Sequence, residues 1–210
     1  MKLKSMNIKA KEIFENCISF YEELGFTIFD YNDLDDFFKR FKKGVEERFR
    51  ESIEEIDEIR FRSLIFRYLG FDTKYGFSYD FDLPSCSQIW NFIPYIEDFY
   101  EDQIGFINTY LERVVGKSIP ISEIEYRNED PNHFLKFKYK GKFAALESDH
   151  LTLLSFNYII RVTQFTKNDT SIDNLYILEH FHSDEPVLFT INEEKLEKLI
   201  GFLKIEKNRI

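Results

Sequence analysis

The apolar residues of this 210-residue chain keep two different periods, and the switch between them limits the folds open to it. Up to Gly116 they recur at intervals of three and four, the repeat of helices that bury one face. Ile8, Ile13, Phe14, Cys17, Ile18, Tyr21 and Leu24 form one such stripe, and Gly25 supplies a left-handed stop. A short apolar piece, FTIF, follows. Asn32 or Asp33 then caps a second stripe through Leu34, Phe38, Phe41, Val45, Phe49, Ile53 and Ile56. A break is expected near Asp57–Arg62, ahead of Leu64, Ile65 and Tyr68. Residues 71–87, FDTKYGFSYDFDLPSCS, read as a long ordered loop or a short hairpin. Ile89, Trp90 and Phe92 open an apolar run, and Pro94 suits the first turn of a helix over 94–115 with Ile96, Phe99, Ile104, Ile107, Leu111 and Val114 on its stripe.

After Pro120 the period falls to two. In HFLKFKYKGKFAALE, Leu135, Phe137 and Tyr139 share one strand face while Lys136, Lys138, Lys140 and Lys142 alternate with them. Lys140-Gly141 stands where a two-residue turn needs positive φ, which predicts a hairpin. LTLLSFNYIIRVTQFT, residues 151–166, fits strand by its β-branched content and helix by its length and spacing. Helix is the reading adopted, because two hairpins need a connection that covers their shared apolar face. Residues 175–182 and 187–191 form the second hairpin around SDEP, and Asn192 caps a last helix whose stripe is Leu196, Leu199, Ile200 and Leu203. The expected class is α+β: a helical region over 1–116, then a β-β-α-β-β-α region over 117–210 with an antiparallel sheet, the two forming separate domains or one continuous one.

The charge is uneven. Of the net −10, residues 70–132 hold 4 basic and 12 acidic groups, while residues 133–210 balance at 11 and 11. A field of that sign repels phosphate backbones and anionic membrane surfaces, so no nucleic-acid or membrane partner is expected. No apolar run is long enough to span a bilayer, and the N-terminus has no apolar signal core. Cys17 and Cys86 belong to no CxxC pair and read as buried thiols. The expected location is the cytoplasm.

Few residues point to chemistry. His180 and His182 fall on one face of a strand and could bind a metal with His150, Asp149 or Glu147, or could simply be wet strand-end imidazoles. The first option gives an alternative reading, a metal-dependent hydrolase of unknown substrate; the second is preferred, and no metal or cofactor is expected. No Gly-rich phosphate loop, nucleophile elbow or zinc-protease motif occurs. The lysine row is the usual solvated face of a hairpin rather than a phosphate strip. More informative is the acidic, aromatic middle: Asp72, Tyr75, Tyr79, Asp80, Asp82, Tyr95, Glu97, Asp98, Tyr100, Glu101 and Asp102. On the 94–115 helix, Glu97, Glu101, Asp98 and Asp102 lie away from the apolar stripe. Outward carboxylates beside tyrosine suit docking of a basic protein, since charge steers the encounter and aromatic rings anchor it.

An acidic, aromatic-rich α+β chain without a catalytic motif, ending in LYILEHFHSDEPVLFTINEEKLEKLIGFL, resembles the bacterial immunity proteins of polymorphic and contact-dependent toxin systems. The resemblance is one of overall profile. It implies a non-catalytic protein whose partner is a toxin domain, often a nuclease with a basic cleft, blocked by charge and shape complementarity.

Overall fold

Phenylalanine packing builds the first of two cores. Phe14 lies 5.0, 5.3 and 5.1 Å, centroid to centroid, from Phe37, Phe38 and Phe41, which arrive from the next helix at helical spacing. The computed structural model in which these contacts are seen describes residues 2–28, 33–49, 52–53, 55–70, 86, 88–91, 102–167, 169, 174–178 and 187–205. The elements in chain order are α1 (Lys2–Glu23), α2 (Leu34–Phe49), α3 (Glu58–Tyr68), β1 (Ile89–Asn91), α4 (Asp102–Val115), β2 (Ile121–Glu129), β3 (Asn132–Tyr139), β4 (Lys142–Ser148), α5 (Leu151–Thr166), β5 (Leu175–Leu178), β6 (Val187–Thr190) and α6 (Glu193–Leu203). The class is α+β, with helices concentrated in the N-terminal half and antiparallel strands later. No helix among the described residues is long and apolar enough to cross a membrane.

Among the described residues the strands form two antiparallel sheets, β1-β6-β5 and β2-β3-β4. The smaller sheet is buried on both faces. Tyr176, Leu178, Val187 and Phe189 join the first core with α1, α2, α3 and α6. Leu175, Ile177 and Leu188, the residues between them, join the second core with α4, α5 and the inner face of β2-β3-β4. A strand buried on both sides reads as an unbroken apolar run, which is what LYIL and VLF show. Helix α5 is shared: it packs against β3 and β4 on one side and β5 on the other. The hairpins therefore belong to separate sheets with α5 between them, where the sequence suggested one shared apolar face.

The two cores do not part at residue 116. Residues from Ala10 to Ile89 and again from Tyr176 to Ile205 make the first, while Ile104 to Ile177 with Leu188 make the second. Strand β1, from the helical half, pairs with β6 with Ile89 opposite Phe189. Its flank is closed by a side chain: Gln88 Nε2 donates to the Gly25 carbonyl (2.9 Å) and Gln88 Oε1 accepts from Thr27 N–H (2.7 Å), imitating a strand partner.

Several local expectations meet their structure. Gly25 sits at φ +91 after α1. Lys140 (φ 47) and Gly141 (φ 79) make the turn joining β3 to β4, the paired positive angles of a type I′ hairpin. Asn192 accepts the Lys195 N–H and so caps α6. The break between α2 and α3 lies upstream of the expected 57–62 because the Asp57 carboxylate caps Ile59 and Arg60 and thereby starts α3 at Glu58. Of the helix expected over 94–115, Asp102–Val115 is α4, and 92–101 lie outside the described residues. Strand β2 adds a third strand that the β-β-α-β-β-α layout lacked.

Candidate partner-binding surface

Most of the surface singled out by sequence lies outside the described residues: Asp72, Tyr75, Tyr79, Asp80, Asp82, Tyr95, Glu97, Asp98, Tyr100 and Glu101. Asp102 begins α4. His180 and His182 also lie outside the described residues. His150 occupies the N-cap position of α5 without capping it through its side chain. Among the described residues no group of three or more His, Cys, Asp and Glu could hold a metal.

Five acids of the 70–132 stretch are described with their surroundings, and four of them fall on β2 and the turn after it. The fifth, Glu112, accepts the Ile119 N–H (3.0 Å) and so serves the end of α4. Glu123, Glu125, Glu129 and Asp130 are all exposed. They reach one edge because β2 is an outer strand of the sheet β2-β3-β4 and Asp130 follows it in the turn to β3. On β3 the inward residues are Leu135, Phe137 and Tyr139, and on β4 Ala144 and Leu146. Glu125 stands opposite Lys136, and Arg127 opposite Phe134.

A bulge shapes this edge. Ser122 pairs with Lys138 and Glu125 with Lys136, so Glu123 and Ile124 together oppose one residue of β3. Glu123 takes φ 52, a left-handed angle uncommon for a residue with a Cβ. The kink turns Ile124 outward, leaving it 40% exposed, and brings Glu123 Oε2 to 2.5 Å from Lys138 Nζ. The same ammonium lies 4.4 Å from the centre of the Phe143 ring, which is itself 69% exposed. Arg127 is 3.8 Å from Glu125. The lysine row is thus partly neutralised by its own neighbours, which fits a solvated face better than a phosphate strip. Two of the four acids are paired within the sheet; Glu129 and Asp130 pair with no basic group among the described residues. Beside them Tyr126 Oη and His133 Nδ1 are 2.9 Å apart with their rings stacked, on the inner rim of the sheet. Burial pushes the Tyr126 phenol up.

A second polar cluster pins the hairpin tip. Asp169 Oδ2 accepts from Tyr139 Oη (2.8 Å) and lies 2.7 Å from Lys140 Nζ; the Asp169 side chain is 5% exposed and that of Lys140 50%. Tyr139 stacks on Phe165 at 5.2 Å. Burial, then the hydrogen bond to Asp169, raises the Tyr139 phenol. The thiols are inert by environment. Both are buried and free, and desolvation pushes Cys17 up to about 12 and Cys86 to about 11, so little thiolate exists at neutral pH.

The acids left unpaired among the described residues were not separable by sequence from the tied ones, because the bulge and the register with Lys138 decide which are neutralised. Comparison with protein-family models, with curated proteins and with solved structures finds no match to this chain.

Proposed function

We propose that this chain is a non-catalytic protein-binding protein whose acidic surface docks a basic partner, and that it acts as an immunity protein neutralising a toxin in the cytoplasm. The observation that carries the reading is the edge of β2. Glu129 and Asp130 are exposed and unpaired among the described residues, with the half-exposed Ile124 on the same strand. Free carboxylates accelerate encounter with a basic surface, and an apolar side chain exposed further along the same edge gains from burial once contact is made. The −8 balance of residues 70–132 extends the same field over the neighbouring sequence.

The test is co-purification of the untagged chain from its native host at low salt, with the complex identified by mass. The reading expects a stoichiometric complex with one basic protein that dissociates as salt is raised. Recovery of chaperones alone would count against it.

A further inference from the structure

The two edges of the sheet β2-β3-β4 are finished differently. The β2 edge carries a bulge and three carboxylates, Glu123, Glu125 and Glu129, all devices that discourage another strand from adding there. The β4 edge has no bulge, and its single carboxylate, Glu147, is balanced by Lys142 on the same strand. Its seven residues, KFAALES, contain no proline or glycine, and their register with β3 runs unbroken from Lys142 opposite Tyr139 to Ser148 opposite His133.

The turn decides which groups face outward. Tyr139 and Lys142 close a two-residue hairpin and form the hydrogen-bonded pair next to the turn. Alternation along an antiparallel ladder then points the peptide groups of Lys142, Ala144, Leu146 and Ser148 at β3, and those of Phe143, Ala145 and Glu147 away from it. The latter three side chains are exposed, and among the described residues no strand pairs with this edge.

We propose that β4 pairs antiparallel with β4 of a second copy of this chain, about a two-fold axis at Ala145, fusing two three-stranded sheets into one. In that register Phe143 faces Glu147 of the second copy, Ala145 faces its own mate, and each facing pair exchanges two backbone hydrogen bonds. Charge selects this occupant and this direction. Two chains of net −10 repel, so they meet best where the charge of each cancels locally, and β4 holds one Lys and one Glu. Antiparallel pairing sets the Lys142 end of each strand beside the Glu147 end of the other, whereas parallel pairing sets like beside like. The small side chain of Ala145 leaves room at the axis, and both inner faces stay on the same side, over their own α5 helices.

Sedimentation velocity over a wide concentration range tests this on the full chain. A reversible doubling of mass is expected, with the dimer lost in Ala145→Asp, which sets two carboxylates against each other at an exposed position. Unchanged circular dichroism of the variant shows that its fold is intact. Ala145→Cys treated with a short bis-maleimide is expected to yield a covalent dimer, since Cys17 and Cys86 are buried and do not compete. A wild-type chain that stays monomeric, or a dimer that survives Ala145→Asp, overturns the proposal. Because it uses the β4 edge alone, its failure leaves the basic-partner reading untouched.

Discussion

Replacing Asp169 by alanine removes the acceptor that two parts of the hairpin tip share, and the structure sets the size of the loss. Tyr139 is 3% exposed, so its hydroxyl, now donating to Asp169 Oδ2 at 2.8 Å, would be left buried without a partner. That costs about 1–3 kcal/mol. The Lys140–Asp169 pair adds less, about 0.5–1 kcal/mol, because half of the lysine side chain is in water and screens it. The sum is about 1.5–4 kcal/mol, which for a domain of this size lowers the melting temperature by about 3–16 °C. Asp169→Asn keeps an acceptor for Tyr139 and is expected to cost about 1 kcal/mol. Lys140→Asn is expected to be close to neutral. It loses the ion pair but puts at φ 47 a residue that tolerates that angle better than lysine. Chemical denaturation of the three variants, followed by far-UV circular dichroism, measures all of this. An Asp169→Ala variant within about 0.5 kcal/mol of wild type, or a Lys140→Asn variant as damaged as Asp169→Ala, would refute the account of how the tip is held.

Burial raises the phenols of Tyr139 and Tyr158, so their folded values stand above the unfolded value near 10. The stability they contribute is complete below about pH 10 and is lost as pH rises beyond it; urea midpoints across that range should fall, and fall less in Tyr139→Phe relative to its own neutral-pH value. Ser155 Oγ on α5 is fully buried and has no hydrogen-bond partner among the described residues; Ser155→Ala is expected to stabilise by up to about 1 kcal/mol in the same denaturation assay. Thiol titration should find Cys17 and Cys86 unreactive in the native chain, with labelling that tracks unfolding. Rapid labelling under native conditions would contradict their burial.

What could be read from sequence depended on whether a segment carries its own pattern. The β3–β4 hairpin did, because Leu135, Phe137 and Tyr139 alternate up to a Lys-Gly turn. So did α6, where Asn192 precedes a clean helical stripe. Strand β1 did not: Ile89, Trp90 and Asn91 become a strand only by pairing with β6, far along the chain. Strand β2 was obscured for a local reason, since the bulge at Glu123–Ile124 breaks its alternation and edge exposure leaves it few apolar residues. The candidate surface was legible as an excess of acid but not as a set of usable groups. Glu123 and Glu125 count toward the excess, yet Lys138 and Arg127 partly neutralise them. Such pairing is a property of cross-strand register, which composition does not carry.

The most direct measurement on the central claim is the affinity for the co-purifying partner, taken at several salt concentrations, for wild type and for a Glu129→Lys/Asp130→Lys variant. The account predicts that wild-type binding weakens steeply with salt and that the variant binds at least about tenfold more weakly at low salt, through slower association. Equal affinity for the two chains, with no dependence on salt, would contradict it.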